Sequence, residues 1–462
     1  MRKLLPCLLA SLWLCGCSTG PAPQLPPSDI PPGFEQSGGK APLWPAADWW
    51  RGFGDTQLVR LMAQAQSSNL DLVQASARLR QADARAKQAG APLLPSIGFN
   101  ANLNELYGQA KGTSLHETDW SAALGASYEL DFWGKNRDAL DAANAARAAS
   151  AADRATVGLT VSASVADTYF QLLSLRERIA LANANLTTSE QILRLVQRRV
   201  DAGFSANADL IQERANIAAQ RALIPALEQQ ELETRDALSL LLGRPPEGFA
   251  VAGDGLRDLA GPEVVPGLPS ELLARRPDVM AAEANLVAAH ANLAAARAAF
   301  LPNLSLTANG GIAYPALAAA VDTLPGTGLA AGLGASLLQT IFDNGKIQGQ
   351  VDEARAREEE LLAAYRAAAI AAFSDVENAL GNVVHMTAQE AALREQVSEA
   401  EKVLNAAQRK YKSGYVDFLI VTEAERSLNA ARDQFADTRR ARLAALIALY
   451  KALGGGWSAR TE

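Results

Sequence analysis

Few residues in this chain of 462 have the type and spacing to do covalent chemistry. All three cysteines, Cys7, Cys15 and Cys17, lie in the first seventeen residues, so the rest of the chain has no disulfide framework. His116, His290 and His385 stand apart with no partner at ligand spacing, and each reads as an ordinary loop or helix residue. No P-loop, dinucleotide-binding glycine pattern or nucleophile elbow is present. Acidic runs such as Glu358-Glu359-Glu360 read as solvated helix faces. These features point to a non-enzyme with no cofactor and no metal. A formal charge of −7, with no basic stripe, argues against nucleic acid as partner. Two kinds of position remain of interest: the thiol of Cys17, and the carboxylates of Asp201, Asp209 and Asp417, which flank two glycine turns at Gly203 and Gly414.

Cys17 closes a segment with a clear address. Arg2-Lys3 precedes an apolar run from Leu4 to Leu14, too short to span a bilayer, which takes roughly twenty residues, but suited to a signal peptide. The run ends in Leu14-Cys15-Gly16-Cys17, which resembles the bacterial lipobox. The resemblance implies that residues 1–16 are removed and that Cys17 becomes the first residue, S-diacylglyceryl and N-palmitoyl modified. Residues 17–50, rich in Pro, Gly and Ser up to Pro45, then form a tether from lipid to folded protein.

The rest of the chain contains its own plan twice. Asp71-Leu72-Val73 returns as Asp278-Val279-Met280 and Leu94-Pro95-Ser96 as Leu301-Pro302-Asn303, each displaced by 207 positions. Gly134-Lys135 returns as Gly345-Lys346 and Leu242-Gly243 as Leu453-Gly454, displaced by 211. Repeats are therefore expected at 51–243 and 269–454, joined by a Gly/Pro-rich connector at 244–268 and followed by a tail at 455–462.

In each repeat an Ala-rich helix runs into Leu-Pro, and the apolar period then changes from 3.6 to 2. Strands are predicted at about 96–107 and 119–132, around a polar loop with Gly108, Gly112 and His116, and again at about 303–313 and 328–341. Ile97, Phe99, Leu103, Trp120 and Leu124 fall on one face; Asn100, Asn102, Ser121 and Ser127 fall on the other. That pattern suits a transmembrane β-strand as well as a soluble hairpin with one wet face. Four strands cannot close a barrel, and open sheet edges cannot face lipid, so a membrane sheet here requires several chains.

After each strand pair comes a proline-free stretch. From Gly134 to about Val200 one helix is allowed, about 100 Å long at 1.5 Å per residue. Val161, Val165, Thr168, Leu172, Leu175, Ile179, Ala182 and Leu186 step by four and three along it, as in a coiled coil. Helical hairpins are expected at about 134–242 and 345–453, turning at Gly203 and Gly414, with Asn207 or Asp209 and Asp417 as N-caps of the returning helices.

Taken with Tyr128-Glu129-Leu130-Asp131-Phe132-Trp133-Gly134-Lys135, Leu268-Pro269-Ser270-Glu271-Leu272-Leu273, Arg275-Arg276-Pro277-Asp278, Ile341-Phe342-Asp343-Asn344-Gly345 and Tyr411-Lys412-Ser413-Gly414, this plan resembles the TolC-type outer-membrane factors, in particular their lipoprotein branch. The resemblance covers essentially the whole chain beyond the tether. It implies an α+β membrane protein with a TolC-like fold and a tandem repeat. In a homotrimer the twelve strands, four per chain, would form a β-barrel in the outer membrane, continued by a long α-helical coiled-coil barrel in the periplasm. It also implies a passive exit duct of a tripartite, RND-type efflux system for drugs or other small molecules. Its partners would be outer-membrane lipid, a periplasmic adaptor and an inner-membrane transporter. A gate is implied at Asp417 and Tyr415, with Asp209 and Asp201 in the other hairpin, and adaptor docking at Gly203, Phe204, Gly414 and Tyr415. Copies of Asp417 near an axis would repel one another and attract cations, although the same residue is placed to cap its helix. The alternatives are a duct for type I protein secretion and a non-channel periplasmic scaffold, for which paired alternating strands would have no use.

Overall fold

The computed structural model describes residues 30–35, 42–110, 112–256, 259, 261–262, 264–314 and 328–457. Cys17, the signal segment and most of the tether lie outside the described residues. Helices α1 (Thr56–Ser68) and α2 (Leu70–Gly90) lead into β1 (Ser96–Ala110) and β2 (Thr113–Leu130). Then come α3 (Lys135–Asp201) and its returning partner α4 (Asn207–Leu241). The order recurs as α5 (Pro269–Leu273), α6 (Pro277–Ala298), β3 (Asn303–Tyr314), β4 (Gly328–Leu338), α7 (Lys346–Lys412) and α8 (Phe418–Ala452).

The chain divides into two compact units, and the division runs through α2, α3, α6 and α7. Among the described residues, one unit comprises those within 78–150 and 281–366; the other comprises those within 30–77, 151–280 and 367–457. The first holds one antiparallel sheet in the order β1-β2-β3-β4, so β2 of the first repeat pairs with β3 of the second. The first hairpin is tighter than the alternation suggests. Its strands continue to Ala110 and resume at Thr113, so most of the expected polar loop is paired backbone. Side-chain alternation fades there, but the ladder depends on backbone N–H and C=O groups, which every residue but proline carries. β4 ends at Leu338 rather than near 341.

Strand passes to long helix by the same device in both repeats. Asp131 accepts from the N–H groups of Asn136 (3.0 Å) and Arg137 (2.9 Å), and Asp343 accepts from Gly345 (3.0 Å) and Ile347 (2.8 Å). Gly134 and Gly345 make the turn at φ +81° and +83°, a region that favours glycine. Burial works against the Asp131 carboxylate, but these N–H bonds and the Arg137 charge outweigh it and hold its pKa below the ordinary value.

The second unit contains the main core. Trp49 stacks on Tyr450 with centroids 5.0 Å apart, Phe53 meets Phe170 edge-on, and Leu58, Met62, Val165, Leu172, Leu238 and Leu443 fill the space around them. Val161, Val165, Leu172 and Leu175 of the stepped register in α3 are all buried. The connector lacks periodicity because charged side chains fix it. Arg176 donates to the carbonyls of Val251 (2.7 Å) and Gly253 (2.9 Å), Glu177 accepts from the Leu256 N–H, and Arg439 donates to the Leu256 carbonyl (2.6 Å). Arg276 bridges Asp278 and Asp375, which explains the Arg-Pro-Asp sequence as a structural clamp.

Candidate functional site

The sheet has two chemically distinct faces. Across the strands, Phe99 lies beside Leu124, Leu103 beside Trp120, Tyr128 beside Leu306, and Ile312 beside Leu329. These side chains and Ile97, Leu333 and Leu337 form one apolar face, much of it exposed among the described residues; Leu333 is 91% exposed. An exposed apolar band of this extent marks a contact surface for a membrane or for another protein. The opposite face carries small polar rows: Gly98, Gly125, Asn309 and Gly332 in one, Ser96, Ser127, Thr307 and Gly334 in the next. Two of its glycines make room for neighbours, since a Cβ on Gly332 or Gly334 would collide with the side chain of Asn309 or Thr307. Among the described residues β1 and β4 each pair on one side only. Among the described residues no helix is long and apolar enough to cross a membrane.

The hairpin ends share one backbone design. In the first turn Phe204 N–H bonds to the Arg199 carbonyl (2.8 Å) and Gly203 N–H to that of Val200 (2.9 Å). In the second, Tyr415 N–H bonds to the Lys410 carbonyl (3.0 Å) and Gly414 N–H to that of Tyr411 (3.0 Å). Gly203 and Gly414 sit at φ +78° and +76°, the left-handed cap of a helix end. Beneath the turns Ile192, Val196, Leu210, Leu404, Tyr411 and Phe418 pack together, so the two hairpins of one chain share a core.

The acidic candidates are spread along this end. Asp201, on the last turn of α3, accepts from Gln197 (2.8 Å), and Asp209 lies half-buried in the first turn of α4. The expected capping by Asn207 or Asp209 does not occur, because α4 starts one residue earlier and the N-cap is Ala206. Asp417 does occupy the N-cap position of α8, yet its side chain makes no capping hydrogen bond and remains exposed. Phe204 and Tyr415 project outward, 75% and 82% exposed.

Sequence reasoning passed over three features. Arg199 reaches from the first hairpin to the second, donating to the Tyr411 carbonyl (2.7 Å) and lying over the Tyr411 ring at 4.5 Å. Ser205 Oγ and the Tyr411 hydroxyl are 2.9 Å apart, which completes the link. His290 is not isolated: its Nδ1 lies 2.7 Å from Glu358 Oε1, so Glu358 belongs to a half-buried pair rather than a solvated face. Finally, Glu213 and Glu425 are almost wholly buried, at 0% and 1% exposure. The one sequence signal for them is the dipeptide Glu-Arg repeated as Glu213-Arg214 and Glu425-Arg426 in the two returning helices.

A two-faced sheet with open edges, joined to paired helical hairpins, defines a subunit of an outer-membrane channel with the TolC-like fold. Residues 61–244 and 268–455, one span in each repeat, match the family described as outer membrane efflux protein. The chain is 41% identical to the pyoverdine export outer membrane protein OpmQ of Pseudomonas putida over 98% of this chain and 97% of that protein. It is 31% identical to the cation efflux system protein CusC of Escherichia coli strain K12, over 98% and 99%. Among solved structures, the outer-membrane channel OprN superposes with a TM-score of 0.86 at 28% identity, covering 94% of this chain and 99% of that one. A CusC structure superposes at 0.84, also with 28% identity, over 94% and 99%. The chain belongs to the outer membrane efflux protein family, and it is an efflux channel subunit of the outer membrane.

Proposed function

We propose that three copies join their four-stranded sheets edge to edge, β4 of one chain beside β1 of the next, and enclose a passive conduit for small polar solutes. The register carries this reading: apolar side chains fall on one face of all four strands and small polar ones on the other, with both edges open. Closure satisfies the edge N–H and C=O groups that lipid cannot. The inner wall carries carboxylates at Asp119 and at Glu129, which pairs with Lys135 at 2.6 Å; between them its Gly, Asn, Ser and Thr offer weak hydrogen bonds and sort solutes by size more than by chemistry. The conduit does no chemistry and uses no energy source of its own.

The relatives support a small-molecule cargo, and the higher identity to OpmQ (41%) than to CusC (31%) favours a compound of the kind named for OpmQ over a metal cation. Phe204 and Tyr415 are the surface on which a periplasmic adaptor docks, and the adaptor links the duct to an RND-type inner-membrane transporter. Lipidation at Cys17 anchors the chain. Asp417 acts at the gate with Tyr415, its carboxylate free for that role because it is not used in capping. Asp201 and Asp209 add charge at the same end.

Purified full-length protein in planar bilayers tests the conduit: discrete conductance steps are expected. Their absence, with trimers present in the same sample, would sink the reading. A cysteine pair placed on β1 and β4 should crosslink into trimers if the edges meet.

A further inference from the structure

Two carboxylates lie buried near the hairpin tips with no counter-ion in hydrogen-bond contact among the described residues. Glu213 is on α4, ten positions beyond Gly203, and Glu425 is on α8, eleven positions beyond Gly414. Asn216, one turn after Glu213 on α4, donates from Nδ2 to Glu425 Oε2 at 3.4 Å, which brings both acids to one contact between the returning helices. Ser189 of α3 also donates to Glu425, and the Gln220 amide donates to Ser189 at 2.8 Å and to Glu425 at 3.5 Å. Neither oxygen of Glu213 accepts a hydrogen bond, and Gln220 Oε1 is likewise buried without a partner. Arg426 of α8 is the charged group that acts on both acids, and it does so at a distance, without a direct ion pair. From α7 the neighbouring apolar cluster takes Leu404, Ala407 and Tyr411, with Val397 and Ala400 packed against it.

A buried carboxylate whose neighbouring amide, Asn216, falls outside hydrogen-bond geometry is more costly ionised than neutral, and a second carboxylate beside it adds repulsion. Burial and the charge of Glu425 push the Glu213 pKa up to about 8, offset in part by Asn216 and Arg426. Burial also raises the Glu425 pKa, against the hydrogen bonds from Ser189, Gln220 and Asn216. The two acids therefore titrate as a pair, and the contact keeps a proton at neutral pH.

We propose that Glu213 and Glu425 form a proton-held latch between α4 and α8, which keeps the two hairpins of a chain together and loosens the tip when the proton leaves. A neutral pair fits the packed helix contact; two anions repel across it. The direction follows from linkage. A carboxylate whose folded pKa is raised makes the folded state bind more protons, so stability is full below the ordinary value of 4.5 and falls as pH rises towards about 8. The effect on conduction rests on the conduit reading; the proton site does not.

The test uses the full-length protein and the isosteric double variant Glu213→Gln, Glu425→Gln. Infrared difference spectra should show the C=O stretch of a protonated buried carboxyl that persists at neutral pH, disappears on alkalinisation and is missing from the double variant. The melting temperature of the unaltered protein should fall relative to the variant between pH 4.5 and about 8. In bilayers its conductance should rise as pH passes through about 8, where the folded pair loses its proton, while the variant keeps the low-pH value. A band that is absent at neutral pH, or that survives both substitutions, overturns the latch. Loss of the band on adding millimolar calcium at constant pH overturns it as well, because the pair would then hold a cation in place of a proton. Identical conductance profiles in both proteins overturn its control of the tip. If neither protein conducts at any pH, the conduit reading fails, and the infrared band and melting profile alone decide the latch.

Discussion

The two hairpin turns have one backbone and different side chains. Both close with the same pair of hydrogen bonds around a left-handed glycine, Gly203 in one and Gly414 in the other. The carbonyl that accepts the longer-range bond belongs to Arg199 in the first turn and to Lys410 in the second. Arg199 spans to Tyr411 and Lys412 of the other hairpin; among the described residues no hydrogen bond or ion pair joins the Lys410 side chain to the first hairpin. Duplication thus supplied two equal loops, and side-chain divergence made one the clamp and the other the clamped partner. The opposite ends of the hairpins kept their equivalence. Gly243 lies against the Ser68 carbonyl at the end of α1, and Gly454 against the Arg275 carbonyl after α5, both at positive φ with no room for a Cβ.

The largest expected effect separates these two kinds of glycine. Gly243→Ala and Gly454→Ala combine left-handed strain with a backbone collision and should each cost about 2–5 kcal/mol in denaturant unfolding. Gly203→Ala and Gly414→Ala have open space around the new methyl and should cost only the strain, about 1–2 kcal/mol. Equal losses at all four positions would show that the tips are packed in a way the free chain does not reveal.

Next in size is the clamp itself. Arg199→Ala removes charge-assisted hydrogen bonds from a half-buried site and should cost about 1.5–3 kcal/mol, with faster proteolysis at both turns. Lys410→Ala should stay within about 0.5 kcal/mol. Matching effects from the two substitutions would remove the asymmetry argued above.

The smallest effect concerns Asp417. Asp417→Asn should leave stability within about 0.5 kcal/mol, because no capping bond is lost, while lowering the cation preference measured from reversal potentials. A Asp417→Ala loss of about 1 kcal/mol with unchanged selectivity would instead assign the residue to capping. Asp201→Asn, whose carboxylate is already held by Gln197, should change neither quantity.

Much of the fold was legible because it follows local periodicity. Alternation at Ile97, Phe99 and Leu103 located a strand, the stepped Val161 to Leu186 register located a long helix with a partly buried face, and Gly203 and Gly414 located the turns. The failures came where periodicity carries no information. Pairing of the polar segment near Gly112 depends on backbone groups that all residues share. The missing cap at Asn207 depends on a one-residue shift in where α4 begins. The pairing of His290 with Glu358 joins residues 68 positions apart.

The sequence by itself determined a duplicated unit, two strands and a long hairpin in each copy, an apolar and a polar face on every strand, and glycine at each sharp turn. Those features reside in residue type and spacing along one stretch of chain. Tertiary structure alone decided that β2 pairs with β3, that Arg199 clasps a residue 212 positions away, and that Asn216 and Glu425, 209 positions apart, meet at a buried contact. Such contacts depend on which helix faces lie together once the hairpins pack, and no local period encodes that choice.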